Sequence, residues 1–386
     1  MRMMIEALFW LSAACVVYVY AGYPLLLVAL RRVLGVRRVA QAPADAPVTL
    51  IVSAFNEEAV IAEKLRNCAE LDYPRDRLQV LVVSDASDDR TDAIVASFAS
   101  QGVELLRMTE RGGKTLGLNA AMQRARGEYI VFSDANALYA PDALAKLLRN
   151  FADPAVGAVI GESLYADIKG QAEQSEGLYW KYETGIKRLE SQIGSVVGGD
   201  GAIYAIRKAL FVPMRADALS DFVNPLQIVR SGYRCIYEPE ARSYERAAGD
   251  FSKEFRRKVR IVNRAWRALQ TLRGLLNPFR YGLFAVELIS HKLLRWLVPL
   301  FLVVLFALSI MLAGRNLIYT AALALQILFY ALALAGHGLR RHSGFPRLFA
   351  VPFYFCLVNV ASALGIIEAY RGKTYTTWTT ARAPGQ

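Results

Sequence analysis

The sequence is poor in the groups that build disulfide frameworks and metal clusters. Its 386 residues include four cysteines and three histidines. Cys15, Cys68, Cys235 and Cys356 are scattered, and no CxxC pair exists, so neither a disulfide scaffold nor a zinc site is implied. His291 and His337 stand apart from every other polar motif and are not expected to bind metal. GxxxxGK[ST] is absent, which removes the P-loop. GxGxxG is absent too, which counts against a Rossmann dinucleotide enzyme. Charge is missing altogether from Ala7 to Leu30, from Trp296 to Gly314 and from Leu348 to Ile367, and Asn316 to Leu339 carries only His337.

A bilayer core takes about 20 apolar residues as a helix, so each of these four runs is long enough to span it. Arg31, Arg32, Arg37 and Arg38 follow the first run. Lys and Arg stay cytoplasmic, which puts the N-terminus outside and the chain after residue 31 in the cytosol. Arg340, Arg341 and Arg347 put the loop between the last two runs there as well. Counting crossings then leaves the tail outside, yet Arg371, Lys373 and Arg382 argue the other way, and its side stays open. The net charge of +12 suits anionic membrane lipids and anionic substrates. No motif points to nucleic acid.

Between Val48 and about Asp250 no run could span, and strand-like and helix-like segments alternate. "VTLIVSAFNEE", "LQVLVVSDASDDRTDAIVASF", "VELLRM", "YIVFSDAN", "VGAVIG" and "RCIYEP" supply the strands. Continuous apolar strands with helical crossovers imply an α/β fold, a mostly parallel sheet covered on both faces. Ligands bind beyond the carboxyl ends of such strands. Three strands end there in polar clusters: Asn56-Glu57, Ser84-Asp85 and Asp134-Ala135-Asn136. Asp88, Asp89 and Asp92 read as helix N-cap and first-turn residues. Arg111-Gly112-Gly113-Lys114 is a tight turn that sets a lysine ahead of a helix, where it can pair with a phosphate.

The order "SAFNEE", "VVSDASDD", "GGKTLGLN", "FSDAN", "GGDGAIYAIRK", "LSDFVNPL" and a basic helix resembles the membrane-embedded family 2 glycosyltransferases of GT-A fold, such as the cellulose, chitin-oligosaccharide and hyaluronan synthases. The resemblance covers roughly residues 48–266. It implies that Ser53, Ala54, Glu57, Asp85 and Lys114 line a nucleotide-sugar pocket. "DAN" stands at the DxD position, so Asp134 and Asn136 would hold Mg²⁺ or Mn²⁺ on the donor diphosphate; Asn136 departs from the second Asp but keeps an oxygen ligand. Asp221 would be the catalytic base for an inverting transfer. An N-cap role for Asp221, at the start of a helix, is the structural alternative. Gly199, Asp200, Arg264 and Trp266 would lie on the acceptor or product side.

Lys253 to Arg273 holds eight Lys or Arg and one Glu, with Arg256, Arg260, Arg264 and Arg267 on one helix face. An amphipathic helix on an anionic membrane surface explains this pattern. The resemblance adds a second role: Arg260 matches the Arg of a QxxRW motif and would neutralise the leaving diphosphate. Arg257 replaces the Gln and Ile261 the Trp, which puts processive polymerisation in doubt, though Trp266 could stand in. Glu287, His291 and Arg295 form a polar stripe that suits an interfacial helix.

The chain is thus expected to divide into a helix and basic flank (1–38), a GT-A domain (48–250), basic interfacial helices (251–295), three spans (296–369) and a tail (370–386). The expected activity moves a sugar from a nucleotide donor, UDP-linked in this reading, to a glycan or lipid-linked acceptor. A compact Ala- and Arg-rich chain suits a bacterial inner membrane with the catalytic domain in the cytoplasm. Four spans make a thin wall for a channel, which favours short products or a homo-oligomer. The competing reading is a non-catalytic nucleotide-sugar-binding scaffold or partner subunit.

Overall fold

The computed structural model describes residues 2–166, 171–246, 251–339 and 346–377. Eight strands form one sheet. They are β1 (Val48–Ala54), β2 (Leu78–Ser84), β3 (Val103–Arg107), β4 (Tyr129–Asp134), β5 (Leu138–Tyr139), β6 (Val156–Ala166), β7 (Tyr204–Arg207) and β8 (Arg234–Arg246), in the order β3-β2-β1-β4-β7-β6-β8-β5. The β3-β2-β1-β4 half is wholly parallel; β7 and β5 run antiparallel to their neighbours. The fold is therefore the expected mostly parallel α/β sheet, with two antiparallel strands that the apolar pattern did not reveal. Both are too short to carry a period: β7 has four residues and β5 has two.

Successive side chains on a strand face opposite ways. Leu50, Val52, Val80, Val82 and Val131 pack on one face, under Ile61–Ala69 and Ala143–Leu148. Ile51, Leu81, Val83, Ile130 and Phe132 pack on the other, under Lys114–Arg124. β1 is buried along its whole length, as a central strand covered on both faces must be. Register then sets the site. Ala54 lies opposite Ser84, and Ser53 opposite Asp134, so the polar ends of β1, β2 and β4 emerge at one edge.

Among the described residues, four helical stretches are long and apolar enough to cross a membrane: Arg2–Leu34, Leu283–Leu312, Leu317–Leu339 and Arg347–Tyr370. The second begins well before Trp296 and takes in the stripe expected to lie at an interface. Glu287, His291 and Arg295 are instead buried against protein. The partners of His291 and Arg295 lie on Gln171–Ile193, a segment too remote in sequence to be foreseen, while both Glu287 oxygens are buried without a hydrogen-bond partner among the described residues. The fourth stretch packs lengthwise on the basic helix Phe251–Thr271. Phe353 meets Phe251 edge-on at 5.1 Å, and Tyr370 meets Trp266 at 6.0 Å. The tail then turns back, and the Asn263 side chain donates to the Lys373 carbonyl at 3.1 Å. Arg340 and Arg341, assigned to the cytosolic side from sequence, lie outside the described residues, as does Arg382.

Candidate active site

Three side chains converge on Gly201. A Cβ built there would lie 3.3 Å from Lys114 Nζ, 3.5 Å from Asp134 Oδ2 and 3.7 Å from Asp221 Oδ2. Lys114 comes from the start of its helix, Asp134 from the end of β4 and Asp221 from the first turn of Ser220–Arg230. Only a residue without a side chain leaves this space open. Lys114 Nζ forms an ion pair with Asp134 Oδ1. Burial pulls the Lys114 ammonium down, but the charge of and hydrogen bond to Asp134 and the charge of Asp221 more than offset this, so it is held protonated. Burial raises the Asp221 carboxyl; Lys114 opposes the rise, and Asp200 and Asp134 reinforce it. Leu219 occupies the N-cap position of this helix, and Asp221 lies two residues further on, in the first turn.

The turn that presents Lys114 is built by backbone. Asp85 is buried, with Oδ1 accepting from Gly112 N at 2.8 Å and Gly113 N at 2.9 Å. Its carboxylate therefore shapes the glycine turn that presents Lys114. Gly113 has φ +89, a left-handed value that favours glycine. The Thr376 carbonyl lies close against it, so the tail reaches the site. Ser53 is buried and its Oγ has no partner among the described residues. Ala54 is buried beside it, and its carbonyl accepts from Asp85 N at 3.0 Å. Glu57 N donates to Thr91 Oγ1 at 2.8 Å. Asp89 acts as the expected cap, accepting from Thr91 N at 2.9 Å and Glu58 N at 3.0 Å, while Asp92 pairs with Arg107.

The arginine face of Phe251–Thr271 divides. Arg256 is exposed. Arg260 forms no ion pair among the described residues; burial lowers its pKa, as does Arg257, while Asp134 acts against the fall. Arg264 is buried and donates to Thr115 Oγ1 at 3.0 Å and to the Ala218 carbonyl. Burial and Arg260 bring it down to about 10. Arg267 binds Asp217 at 2.9 Å. Through Arg264 and Arg267 this face clamps the loop before Asp221. Trp266 is packed against Trp296 at 6.3 Å and Tyr370, within the apolar cluster that holds Phe222. On the other flank, Gly199 N donates to the Asp221 carbonyl at 2.6 Å. Asp200 Oδ1 accepts from Ala202 N at 3.1 Å, while its Oδ2 is buried without a partner among the described residues.

Lys64 was not foreseen. Set between Glu63 and Leu65 on a short helix, it reads as a solvent-facing lysine, yet it is fully buried. It donates to the Ala137 carbonyl at 2.5 Å and lies 4.0 Å from the Tyr139 ring, beneath the Asp134–Ala137 turn. A lysine inside an apolar, periodic helix face would have been the only hint.

No cluster of three or more His, Cys, Asp or Glu suited to a metal occurs among the described residues. Asp134 and half-buried Asn136 stand two residues apart at the end of β4 and offer a carboxylate and an amide oxygen. Such a pair fits a hard cation that takes its remaining ligands from phosphate and water.

Residues 49–210 match the model of the glycosyl transferase family 2. A beta-monoglucosyldiacylglycerol synthase of Trichormus variabilis is 36% identical over 126 residues, 32% of this chain and 27% of that protein. An N-acetylglucosaminyltransferase of Rhizobium meliloti is 27% identical over 255 residues, 60% of this chain and 59% of its own. The chain spans roughly a quarter of the length of the first curated relatives it matches. Among solved structures, a mannosyltransferase from Pyrobaculum calidifontis, in complex with GDP-Man and Mn²⁺, superposes with a TM-score of 0.73 at 26% identity. The match covers 95% of this chain and 99% of that one. The motif order, the sheet and these likenesses agree: residues 49–210 carry a glycosyl transferase family 2 domain of GT-A fold, flanked by helices long and apolar enough to cross a membrane.

Proposed function

We propose that the protein transfers a sugar from a nucleotide diphosphate donor to an acceptor at the membrane, with inversion by direct displacement. The observation that carries this is the meeting of Lys114, Asp134 and Asp221 around Gly201. Asp221 Oδ2 takes the proton from an acceptor hydroxyl as that oxygen bonds to the anomeric carbon. A raised carboxyl suits a base that must hold this proton. Lys114 and Arg260 lie where charge grows on the leaving diphosphate, and fixed cations stabilise such charge. Asp134 and Asn136 would hold Mg²⁺ or Mn²⁺, which supplies further neutralisation of the diphosphate. Ser53, Ala54 and Glu57 line the nucleotide end, and Asp85 acts there through the glycine turn it holds. The Mn²⁺ and GDP-Man of the archaeal mannosyltransferase support a divalent cation and a nucleotide sugar. The diacylglycerol and N-acetylglucosamine relatives support a lipid or glycan acceptor. The four apolar helices support a membrane location, and the arginines that follow the first of them support a cytoplasmic sheet domain.

Nucleoside diphosphate release by detergent-purified protein tests this, with UDP- and GDP-sugars in Mg²⁺, Mn²⁺ or EDTA. Asp221→Asn is expected to lower turnover about 10²- to 10⁴-fold, the usual worth of a general base, while donor affinity stays near wild type. Donor binding without turnover on any acceptor would favour the scaffold reading. Absence of donor binding would remove the pocket.

A further inference from the structure

A second polar cluster lies where the sheet domain meets the membrane-facing helices. Glu183, Lys187 and Glu190 are buried along one helix, Gln171–Ile193. Facing them are His291 and Lys292, on a π-helical turn at Ile289–Leu293. A π turn re-aims side chains and is frequent at functional sites. A second one, Tyr18–Gly22, meets it through Tyr18 Oη and Ser290 Oγ at 2.8 Å.

Both glutamates are engaged. Glu190 Oε1 accepts from Tyr23 Oη at 2.6 Å and lies 2.6 Å from His291 Nδ1. Glu183 Oε2 lies 3.0 Å from His291 Nε2, and its Oε1 pairs with Arg295. Lys292 Nζ makes a long ion pair with Glu183 at 3.8 Å and lies 3.5 Å from His291 Nε2. Lys187 is 7% exposed, and among the described residues its ammonium makes neither a hydrogen bond nor an ion pair; it rests 5.1 Å from the Trp180 ring. A buried ammonium without a counter-ion is expensive.

The place of these lysines gives the deficit a meaning. Asp200, Lys292 and Asp221 are the charges that act most on Lys187. A Cβ at Gly198 would come within 4.0 Å of Lys292 Cε, and one at Gly199 within 2.7 Å of the Asp221 carbonyl. The glycine loop 198–201 therefore has Lys114, Asp134 and Asp221 at its Gly201 end and Lys292 beside Gly198. Ile186 and Ile193, on the same helix as Lys187, pack on Tyr23 and Leu27 of the first apolar stretch.

Resting on the transferase reading above, we propose that Lys187 and Lys292 form the acceptor's anion site: they hold the phosphate of a lipid headgroup, so that an adjoining oxygen reaches the anomeric carbon beside Asp221. A neutral diacylglycerol headgroup leaves Lys187 uncompensated. In the transfer, the acceptor oxygen bonds to C1 as the C1–O bond to the diphosphate breaks. The electron pair leaves with the nucleoside diphosphate. A hydroxyl acceptor gives its proton to Asp221, whereas an ionised phosphate oxygen has none to give.

The test uses the full chain in nanodiscs doped with a polyprenyl phosphate, with phosphatidylglycerol or with diacylglycerol. Lipid binding is read by the tryptophan fluorescence that Trp180 contributes, and donor binding is measured separately. Lys187→Met is expected to weaken binding of a phosphate lipid about tenfold or more. Lys187→Arg should restore most of it, with donor affinity unchanged in both. The monoester and diester arms identify the source of the phosphate. Diacylglycerol binding as tightly as either phosphate lipid overturns the proposal. So does phosphate-lipid binding unaffected by Lys187→Met, or lost equally in the folded Lys187→Arg protein. Lysine-dependent lipid binding without sugar transfer sustains the anion site and overturns the transferase reading alone.

Discussion

Lys64 places a charge under the turn that carries Asp134 and Asn136, and its only described hydrogen bond goes to the Ala137 carbonyl. Lys64→Met keeps most of the volume and leaves that carbonyl unsatisfied, a loss of about 1–3 kcal/mol. Melting temperature should fall, and donor affinity should weaken although Lys64 lies outside the converging triad. An unchanged donor affinity would detach Lys64 from the pocket. Asp221 makes a second prediction. Its carboxyl is raised by burial, and Lys114 is the group that restrains the rise. In its proposed role as base it works only when deprotonated, so kcat/KM should fall as pH drops through a midpoint above the ordinary aspartate value of about 3.9. Lys114→Met should move that acid limb higher still. A limb that stays in place would separate the two charges. Asp134 and Asp221 were legible as residues, because each follows a recognisable motif. Lys64 and Lys187 were not: a lysine in a helix carries no sign of burial until its neighbours are known.

At the scale of elements, the helices Phe251–Thr271 and Arg347–Tyr370 depend on close approach. A Cβ on Gly365 would lie 2.8 Å from the Val259 carbonyl and 3.0 Å from Val262 Cβ. Gly365→Ala is expected to force the pair apart, at a cost of about 1–3 kcal/mol as in other overpacked sites. A lower melting temperature in detergent would show this. Gly338→Ala, in open space on another helix, is the control and should be neutral or better. The basic helix was read as amphipathic, and its apolar face is indeed packed. The partner on that face could not be read, since it lies about a hundred residues away. The same limit applied to the stripe of Glu287, His291 and Arg295, which looked interfacial until Glu183 and Glu190 met His291 and Arg295.

For the whole molecule, the path of the chain constrains topology. The Thr376 carbonyl rests against Gly113 of the sheet domain, so the tail and the site share one side. Four complete crossings from an outside N-terminus would separate them. The helix Arg347–Tyr370 is the one to reassign, because it is the most buried of the four and lies along Phe251–Thr271. Single cysteines at Thr377 and at Asn316 in a chain without its native cysteines should resolve this. A membrane-impermeant thiol reagent is expected to label Asn316→Cys from outside and Thr377→Cys only after the membrane is opened. Labelling of both from outside would restore the fourth crossing.

The sequence by itself determined the α/β class, the polar strand ends and the four apolar runs, because strand period, turn chemistry and helix length are local properties. It also named Lys114, Asp134 and Asp221, through motifs whose order survives without coordinates. Only the tertiary structure decided what those residues face. Sheet register brought Ser53 opposite Asp134, the glycine loop 198–201 opened the space between three charges, and the packing of Gln171–Ile193 on the apolar helices left Lys187 without a counter-ion among the described residues. Such outcomes depend on which distant segments share a surface, and hydropathy along one chain does not encode that choice.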